Sequence, residues 1–519
     1  MKKNVFSKAL ALCLALVLCL GMMAGCGKKQ LTAKEHFDLV ATKTQKTLDD
    51  GAISLYGTTL DSLSSAEGGV TDVKISLGDA GKQLLSTLTG GQIPLDWINE
   101  IGLKIGAKVD KSLISDEIGI SLNGVDLATI QDTLDADGNK LYLAVPDLFS
   151  DVLSLDFGKL AEQAGGSLGV RFDSSALKNV LDFKSWLPSA DALKKVYEKY
   201  EKLALSNIND VTKEEATVEA GGLTQKCSKL KTTFDSAKMK AISKVLGDEL
   251  SKDQDVASIA DNLGRVLGFK GSEAVDELVD GLVNTDPENA FIDFTEYADD
   301  DGNLVGLDVT TKDEDGEEAM KLVISAPEQN GKTALDLKMT AGDQTLTITG
   351  SGTKGNNAAD GTYSVKLNDA EILTIEAKDN NLEKSAKGLL NGSYTIKFGK
   401  AIADLMGSNA VANVLTQFGL KVDVAMTDAK NSTAKIELVD NSGNRVLGAD
   451  VTQTAGWNGG AGLEKSTSTV DVTDSEALMN VVKGINWTSI MDKLKNAGLP
   501  DQLMSALKMV TAMFGGSGE

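Results

Sequence analysis

The sequence predicts an α+β fold in which antiparallel sheets each have one apolar face and helices pack on the apolar side. Three observations support this class. Apolar and polar residues alternate with period two over many segments. Segments with helical periodicity are grouped in blocks and do not alternate regularly with the strands. The chain also carries an internal duplication, in which several strands precede a helical block.

The period-two segments indicate strands that bury one face and leave the other in water. In the first half of the chain their apolar positions are Val73/Ile75/Leu77, Leu103/Ile105/Val109, Ile118/Ile120/Leu122 and Leu141/Leu143/Val145. In the second half they are Val305/Leu307/Val309, Met320/Leu322/Ile324, Leu335/Leu337/Met339, Leu346/Ile348, Tyr363/Val365/Leu367, Leu373/Ile375, Tyr394/Ile396/Phe398, Leu420/Val422/Val424/Met426 and Ile436/Leu438. Because strands of parallel sheets are usually apolar on both faces, this alternation favours antiparallel pairing.

Helices are predicted near the N-terminus and in four later blocks. Thr32 and Glu35 have the spacing of a capping box, and Phe37 and Val40 follow on one helical face. The later blocks span 174–205, broken near Pro188, 236–267, 401–418, and 475–514, broken near Pro500. Since these blocks are separated by runs of strands, we expect the helices to lie against the sheets.

The duplication is clearest where 173–186 aligns without gaps to 474–487, with seven of fourteen residues identical. Three shorter landmarks precede each copy in the same order. They pair 73–80 with 396–403, 102–105 with 419–422, and 137–140 with 442–445. This order predicts two α+β domains, at residues 32–285 and 286–519.

The N-terminus has the pattern of a secretory signal. Lys2, Lys3 and Lys8 precede an uncharged apolar run over 9–23, which is too short to span a bilayer comfortably. Met23-Ala24-Gly25-Cys26 resembles the lipobox of bacterial lipoproteins, although the family prefers Leu where Met23 stands. The resemblance implies a signal peptide over 1–25, a diacylglyceryl group on Cys26 and a tether over 26–31. It places the protein on the outer face of the cytoplasmic membrane, anchored by lipid.

Charge and cysteine content exclude several classes of protein. The mature chain of 494 residues would hold 49 basic and 75 acidic residues, a net charge of −26, with only three arginines. Nucleic-acid binding needs a basic surface, so we expect no nucleic-acid partner. The acidic body should also stand off anionic lipid headgroups. After loss of the signal and lipidation of Cys26, Cys227 is the one remaining thiol, so no internal disulfide is expected.

Several stretches resemble active-site motifs, but their context argues against an enzyme. Gly165–Gly169 fits G-x-S-x-G, yet the only histidine, His36, precedes the serine. Gly350–Gly355 fits G-x-G-x-x-G without a following helix. Asp135–Lys140, Asp299–Asn303 and Asp313–Gly316 lack the first and last ligands of a calcium loop and read as turns, although weak calcium binding stays open. We therefore expect no cofactor and no metal, and a solvated His36.

The C-terminal helical block is rich in methionine, which adapts to varied apolar partners. A stripe of apolar residues there is a candidate ligand-facing surface or, alternatively, ordinary core. Its members are Leu503, Met504, Leu507, Met509, Val510 and Phe514.

The anchor, the one-faced strands and the segments 140–156 and 214–230 together resemble large extracytoplasmic lipoproteins of Firmicutes. That group is similar in turn to the LolA/LolB-type lipoprotein-carrier fold, an incomplete antiparallel barrel with helices on its apolar side. The resemblance implies a carrier or sensor of an apolar ligand such as a lipid. The alternative is a non-catalytic envelope protein with a structural or protein-interaction role and an unknown partner. The first hypothesis predicts an apolar void of several hundred Å³; the second predicts that side chains fill it.

Overall fold

The structure, a computed structural model, describes residues 31–63, 68–88, 96–110, 112–163, 182–283, 291–312, 316–402, 416–457, 459 and 462–514. The predicted signal peptide, Cys26 and most of the tether lie outside these residues, as do Gly165–Gly169 and most of the first copy of the duplicated segment.

The helices are α1 (Ala33–Leu48), α2 (Ser54–Leu63), α3 (Asp79–Leu88), α4 (Phe157–Gln163), α5 (Phe183–Trp186), α6 (Ala190–Ser206), α7 (Ser236–Leu250), α8 (Gln254–Leu267), α9 (Gly271–Val283), α10 (Leu382–Ser385), α11 (Ser475–Lys483), α12 (Trp487–Asn496) and α13 (Asp501–Phe514). A π-helical turn, Asp49–Ile53, continues α1, and a 3₁₀ turn spans Leu463–Lys465. The predicted capping box is confirmed, because Glu35 N–H donates to Thr32 Oγ1 and Thr32 N–H donates to Glu35 Oε2.

The strands are β1 (Gly69–Leu77), β2 (Glu100–Asp110), β3 (Leu113–Leu122), β4 (Val125–Asp135), β5 (Lys140–Ala144), β6 (Val152–Asp156), β7 (Thr212–Ala220), β8 (Leu223–Phe234), β9 (Phe291–Ala298), β10 (Leu304–Lys312), β11 (Glu318–Ser325), β12 (Glu328–Gln329), β13 (Lys332–Ala341), β14 (Gln344–Lys354), β15 (Ala358–Leu367), β16 (Ala370–Asn381), β17 (Asn391–Phe398), β18 (Phe418–Met426), β19 (Ser432–Asp440), β20 (Arg445–Ala455) and β21 (Thr469–Asp471). Each predicted period-two segment falls on one of these strands, which confirms the α+β class.

The chain divides into two compact units, each built from two separate stretches of sequence. Unit 1 comprises residues 1–57 and 186–420, and unit 2 comprises residues 58–185 and 421–519. The division expected from the sequence, at 285/286, is a different one. The pairing of β1 with β20 joins the two stretches of unit 2, because Val73 lies opposite Val451.

The sheet of unit 1 runs antiparallel in the order β7–β8–β9–β10–β11–β13–β14–β15–β16–β17. No pairing among its described strands joins β7 to β17, so the sheet is open. One cluster of buried apolar residues lies entirely on its strands. The members are Leu307, Val309, Met320, Leu322, Ile324, Leu337 and Met339, each 1–9% exposed.

A second apolar cluster in unit 1 brings helices onto the same sheet. Phe37 and Val40 of α1 pack with Ile208, which follows α6, and with Leu230 of β8 and Ala298 of β9. Partly buried Ile242 of α7 completes the contact from the helical side. The first helix is therefore part of the core of unit 1.

The sheet of unit 2 runs antiparallel in the order β19–β20–β1–β2–β3–β4–β5–β6, and β21 adds in parallel to β6. It too is open among the described residues. Antiparallel pairing thus predominates in both units, as the alternation predicts.

The landmarks of the predicted duplication lie in similar elements, but the number of strands between them differs. Gly102–Ile105 lies in β2 and Gly419–Val422 lies in β18, while 137–140 and 442–445 form the turns before β5 and β20. Two strands, β3 and β4, lie between the second and third landmarks in the first set, and one strand, β19, lies between them in the second set. The two sets of landmarks therefore differ by one intervening strand, and the duplication stays a prediction.

Candidate ligand-binding surface

Cross-strand register builds one apolar face on the sheet of unit 2. Val451, Val73, Leu103 and Ile120 form one row across β20, β1, β2 and β3. Neighbouring rows add further aliphatic side chains, since residues two apart on a strand share a face. We call this surface the unit 2 apolar face; its members are Ile436, Leu447, Ala449, Val451, Val73, Ile75, Ile101, Leu103, Ile105, Ile118, Ile120 and Ile130.

Every side chain of the unit 2 apolar face keeps contact with solvent. None of its members is buried, and Ile75, Ile101 and Leu447 are 39%, 44% and 38% exposed. On the sheet of unit 1, by contrast, Leu322 and Leu337 are 2% and 1% exposed. Since monomeric proteins seldom leave a large contiguous apolar area in water, this face is the best candidate for a binding surface.

Two carboxyl groups stand on the same side of the sheet as the unit 2 apolar face. Asp116 of β3 lies opposite Asp132 of β4, and each is two residues from an isoleucine of the face, Ile118 or Ile130. Burial raises the pKa of both carboxyls, and the charge of Asp116 raises the pKa of Asp132 further. The pair therefore resists full ionisation more than exposed aspartates do.

The opposite side of this sheet is polar. A cavity of about 600 Å³ lies there, lined by Val70, Asp72, Lys74, Lys104, Asp450, Thr452 and Thr454. In unit 1 a cavity of about 380 Å³ is lined by residues of β13 to β16 and by the turn between β7 and β8, with Lys332, Asp360, Glu376 and Lys378 among them. Neither cavity is the apolar void that a carrier would contain.

The C-terminal helices hold the predicted stripe in mixed environments. On α13, Met504 is buried at 7% exposure, Leu503 and Leu507 are half-buried, and Met509 is 63% exposed. The side chains of Val510 and Phe514 lie outside the described part of the structure. The described members thus do not form one uniformly exposed surface.

His36 and Glu296 are buried titratable residues in unit 1. The expectation of a solvated His36 is wrong: it is 1% exposed, and its Nε2 lies 2.8 Å from the Asp299 carbonyl oxygen. Glu296 stands between Leu230 and Leu307 on the adjoining strands. Its Oε2 is sealed and has no hydrogen-bond partner, although the side chain keeps some solvent contact; burial raises the pKa of this carboxyl to about 8.

The turns that resemble calcium loops hold themselves together by their own hydrogen bonds. Asp299 Oδ1 accepts from the N–H groups of Asp301 and Asn303, and Asp135 Oδ1 accepts from Gly138 N–H. Both are strand-joining turns, as predicted; 313–315 lies outside the described residues. Within the described part of the chain, no three His, Cys, Asp or Glu side chains are grouped as a metal site would require.

Asp116, Asp132 and Glu296 were missed from the sequence, although a signal was present. Each occupies a position that the period-two pattern reserves for an apolar side chain, as in Ile114/Asp116/Ile118. A charged residue at such a position indicates a buried or functional carboxyl.

Cys227 is a free, buried thiol, and burial raises its pKa to about 11, so it is a poor nucleophile.

Among the described helices, none combines the length and the apolar character needed to cross a membrane. The chain matches no protein-family model. It also matches no curated protein at a significant level.

Proposed function

We propose that the protein is a lipid-anchored extracytoplasmic protein that binds an apolar ligand, such as an acyl chain, on the unit 2 apolar face. The observation that carries the proposal is the accessibility of this face, of which no member is buried. Covering aliphatic side chains with an acyl chain releases water and gains about 25 cal/mol per Å² of apolar surface removed from it. The resemblance to the LolA/LolB-type fold supports the same function.

The attachment to the membrane rests on the lipobox-like Met23–Cys26. Two acyl chains anchor a protein stably, whereas a single chain binds only marginally. The same proposal includes helices that lie against the apolar side of the sheet, because carriers of this kind use helices to cover the ligand. It also includes an origin of the chain by internal duplication.

A second candidate is a non-catalytic envelope protein with a structural or protein-interaction role. The observation that favours it is the presence of charged and hydroxyl side chains in the lining of both cavities, together with the filled core of unit 1. A protein partner, and not a lipid, would then cover the unit 2 apolar face.

Ligand binding can be tested with the fluorescent fatty acid cis-parinaric acid. The double substitution Ile75→Ser and Ile101→Ser is expected to weaken binding by about tenfold or more, because each lost aliphatic contact is worth on the order of 1 kcal/mol. Both side chains are already partly exposed, so the fold should survive.

Leu267→Ser is the matched control, because this leucine is 63% exposed on α8 of unit 1 and should leave the affinity unchanged. Equal loss in both variants, or no binding by the unsubstituted protein, would count against a lipid ligand. Native mass spectrometry of the purified protein provides an independent reading through a co-purifying lipid.

The anchor is tested separately by Cys26→Ser. We expect this variant to leave the membrane fraction and to partition into the aqueous phase on detergent extraction, because the thiol that accepts the lipid is absent. The Cys227→Ser variant should stay with the membrane. Membrane retention of the Cys26 variant would refute lipid attachment at this residue without bearing on ligand binding.

A further inference from the structure

The first helix docks on unit 1 through a histidine. His36 Nε2 lies 2.8 Å from the carbonyl oxygen of Asp299, in the turn between β9 and β10. A carbonyl oxygen only accepts hydrogen bonds, so Nε2 carries the hydrogen and donates it. Nδ1 is sealed from solvent and has no hydrogen-bond partner. The docked contact therefore needs a hydrogen only at Nε2, and no acceptor stands ready for a second one at Nδ1.

Two lysines hold the same helix at either side of His36. Lys213 Nζ donates to the carbonyl oxygen of Leu31, just before the helix, at 3.2 Å. Lys43 Nζ donates to Asn303 Oδ1 at 3.0 Å, in the turn that His36 contacts. Three polar contacts therefore add to the apolar packing of α1, and His36 makes the most buried of the three.

The docked helix covers apolar surface. Phe37 packs edge-to-face on Phe294 of β9, with ring centroids 6.3 Å apart. Leu230 and Ala298, in the same cluster, have no exposed surface at all. Glu296 lies on the same face of β9, between Phe294 and Ala298. Undocking of α1 would bring this cluster into water.

Protonation of His36 opposes docking for a local reason. It would add an N–H group at Nδ1, where no acceptor is present, and place a charge in a buried contact. Burial lowers the pKa of His36, the charge of Lys213 lowers it further, and Asp299 and Asp300 oppose the shift. Further charged residues lie on the elements around α1. They are Glu214, Glu215 and Glu219 on β7, Lys226, Lys229 and Lys231 on β8, Asp293 and Glu296 on β9, Asp49 and Asp50 after α1, Asp210 before β7, Asp301 in the turn, and Lys238, Lys240, Lys244, Asp248 and Glu249 on α7.

We propose that α1 is an acid-released cover of the apolar cluster in unit 1, docked while His36 is neutral and released when the imidazole gains a proton. The undocked histidine takes up protons near its ordinary pKa, at a higher pH than the docked one. Docking is therefore strongest above that pH and weakens as the pH falls toward the lower pKa of the docked state. The inference is independent of the proposed ligand.

Because His36 is the only histidine of the chain, its ring signal identifies it without further assignment. We expect an NMR titration of the full-length protein to place its pKa below the value of a free histidine. Hydrogen exchange over residues 33–48, corrected for intrinsic rates, should then accelerate on acidification by up to about tenfold per pH unit within the window. Peptides of α12 serve as an internal control and should not follow this dependence.

The substitution His36→Gln keeps an N–H donor and removes the titration. In the His36→Gln variant, hydrogen exchange over residues 33–48 should no longer accelerate on acidification. In the Glu296→Gln variant, this acceleration should remain. A His36 pKa at or above the free value would overturn the proposal, and so would the same acid dependence in His36→Gln. Should His36→Gln fail to fold, the titration of the unsubstituted protein still decides the question.

Discussion

Replacing Phe37 with alanine is expected to lower the free energy of unfolding of unit 1 by about 3–5 kcal/mol, the usual range for a buried phenylalanine. Phe37 is 4% exposed and belongs to the cluster with Val40, Ile208, Leu230 and Ala298. Its ring also contacts Phe294 edge-to-face, a geometry that adds to the burial of apolar area. The truncation removes these contacts and leaves a cavity in the cluster.

Hydrogen exchange in β8 and β9, measured in the regime where it reports local unfolding free energy, would read this loss directly. Phe269→Ala is the matched control in the same unit, because Phe269 is 43% exposed. We expect the control to change the stability by less than about 1 kcal/mol. Equal effects of the two substitutions would contradict the placement of α1 in the core.

Replacing Glu296 with glutamine is expected to stabilise unit 1 at alkaline pH. The pKa of this carboxyl rises to about 8 in the folded chain because burial penalises its charge. The folded state therefore binds a proton more tightly than the unfolded state, and stability falls as the pH rises from the ordinary glutamate pKa to about 8. Glutamine keeps the shape and cannot ionise, so the variant should lack this loss.

The expected gain above the folded pKa is on the order of 2–4 kcal/mol, at about 1.4 kcal/mol per pKa unit and reduced for the remaining solvent contact. Denaturation of both proteins at acidic, neutral and alkaline pH would measure their free energies of unfolding. We expect the difference between the two proteins to grow as the pH rises. Glu214→Gln is the control, because the Glu214 side chain is 70% exposed. Its Oε2 lies 3.7 Å from Lys229 Nζ, so the ion pair is a loose one. Parallel pH curves for Glu296→Gln and the unsubstituted protein would rule out a buried, ionisable Glu296.

Local sequence signals predicted much of the secondary structure. The capping box at Thr32 marks the start of α1, and the pattern over 475–514 resolves into α11, α12 and α13, with Pro500 at the last break. The strands β4, β6, β7, β8, β9, β12, β20 and β21 were missed. β6, β12 and β21 are short, and polar or charged side chains interrupt the apolar side of several of the others. Asp132 in β4 and Glu296 in β9 are two such interruptions.

The grouping of strands into units could not be read from local pattern. Alternation shows that β1 and β20 each have one apolar face, but it carries no information about which strand pairs with which. The pairing of residues 69–77 with 445–455 is a contact across more than two thirds of the chain. It brings two distant stretches into unit 2, where the sequence suggested two consecutive domains.

The sequence by itself determined most of the strands and helices and which of their side chains share a face, because both periods are local properties of the backbone. Only the tertiary structure decided which faces are covered. The aliphatic rows of unit 1 are packed almost out of reach of solvent, whereas equally aliphatic rows of unit 2 are not. Burial depends on which distant segments pack against a surface. His36 is buried for this reason: Asp299, which is distant in sequence, contacts it, whereas the residues next to His36 in sequence suggested a solvated first turn of a helix.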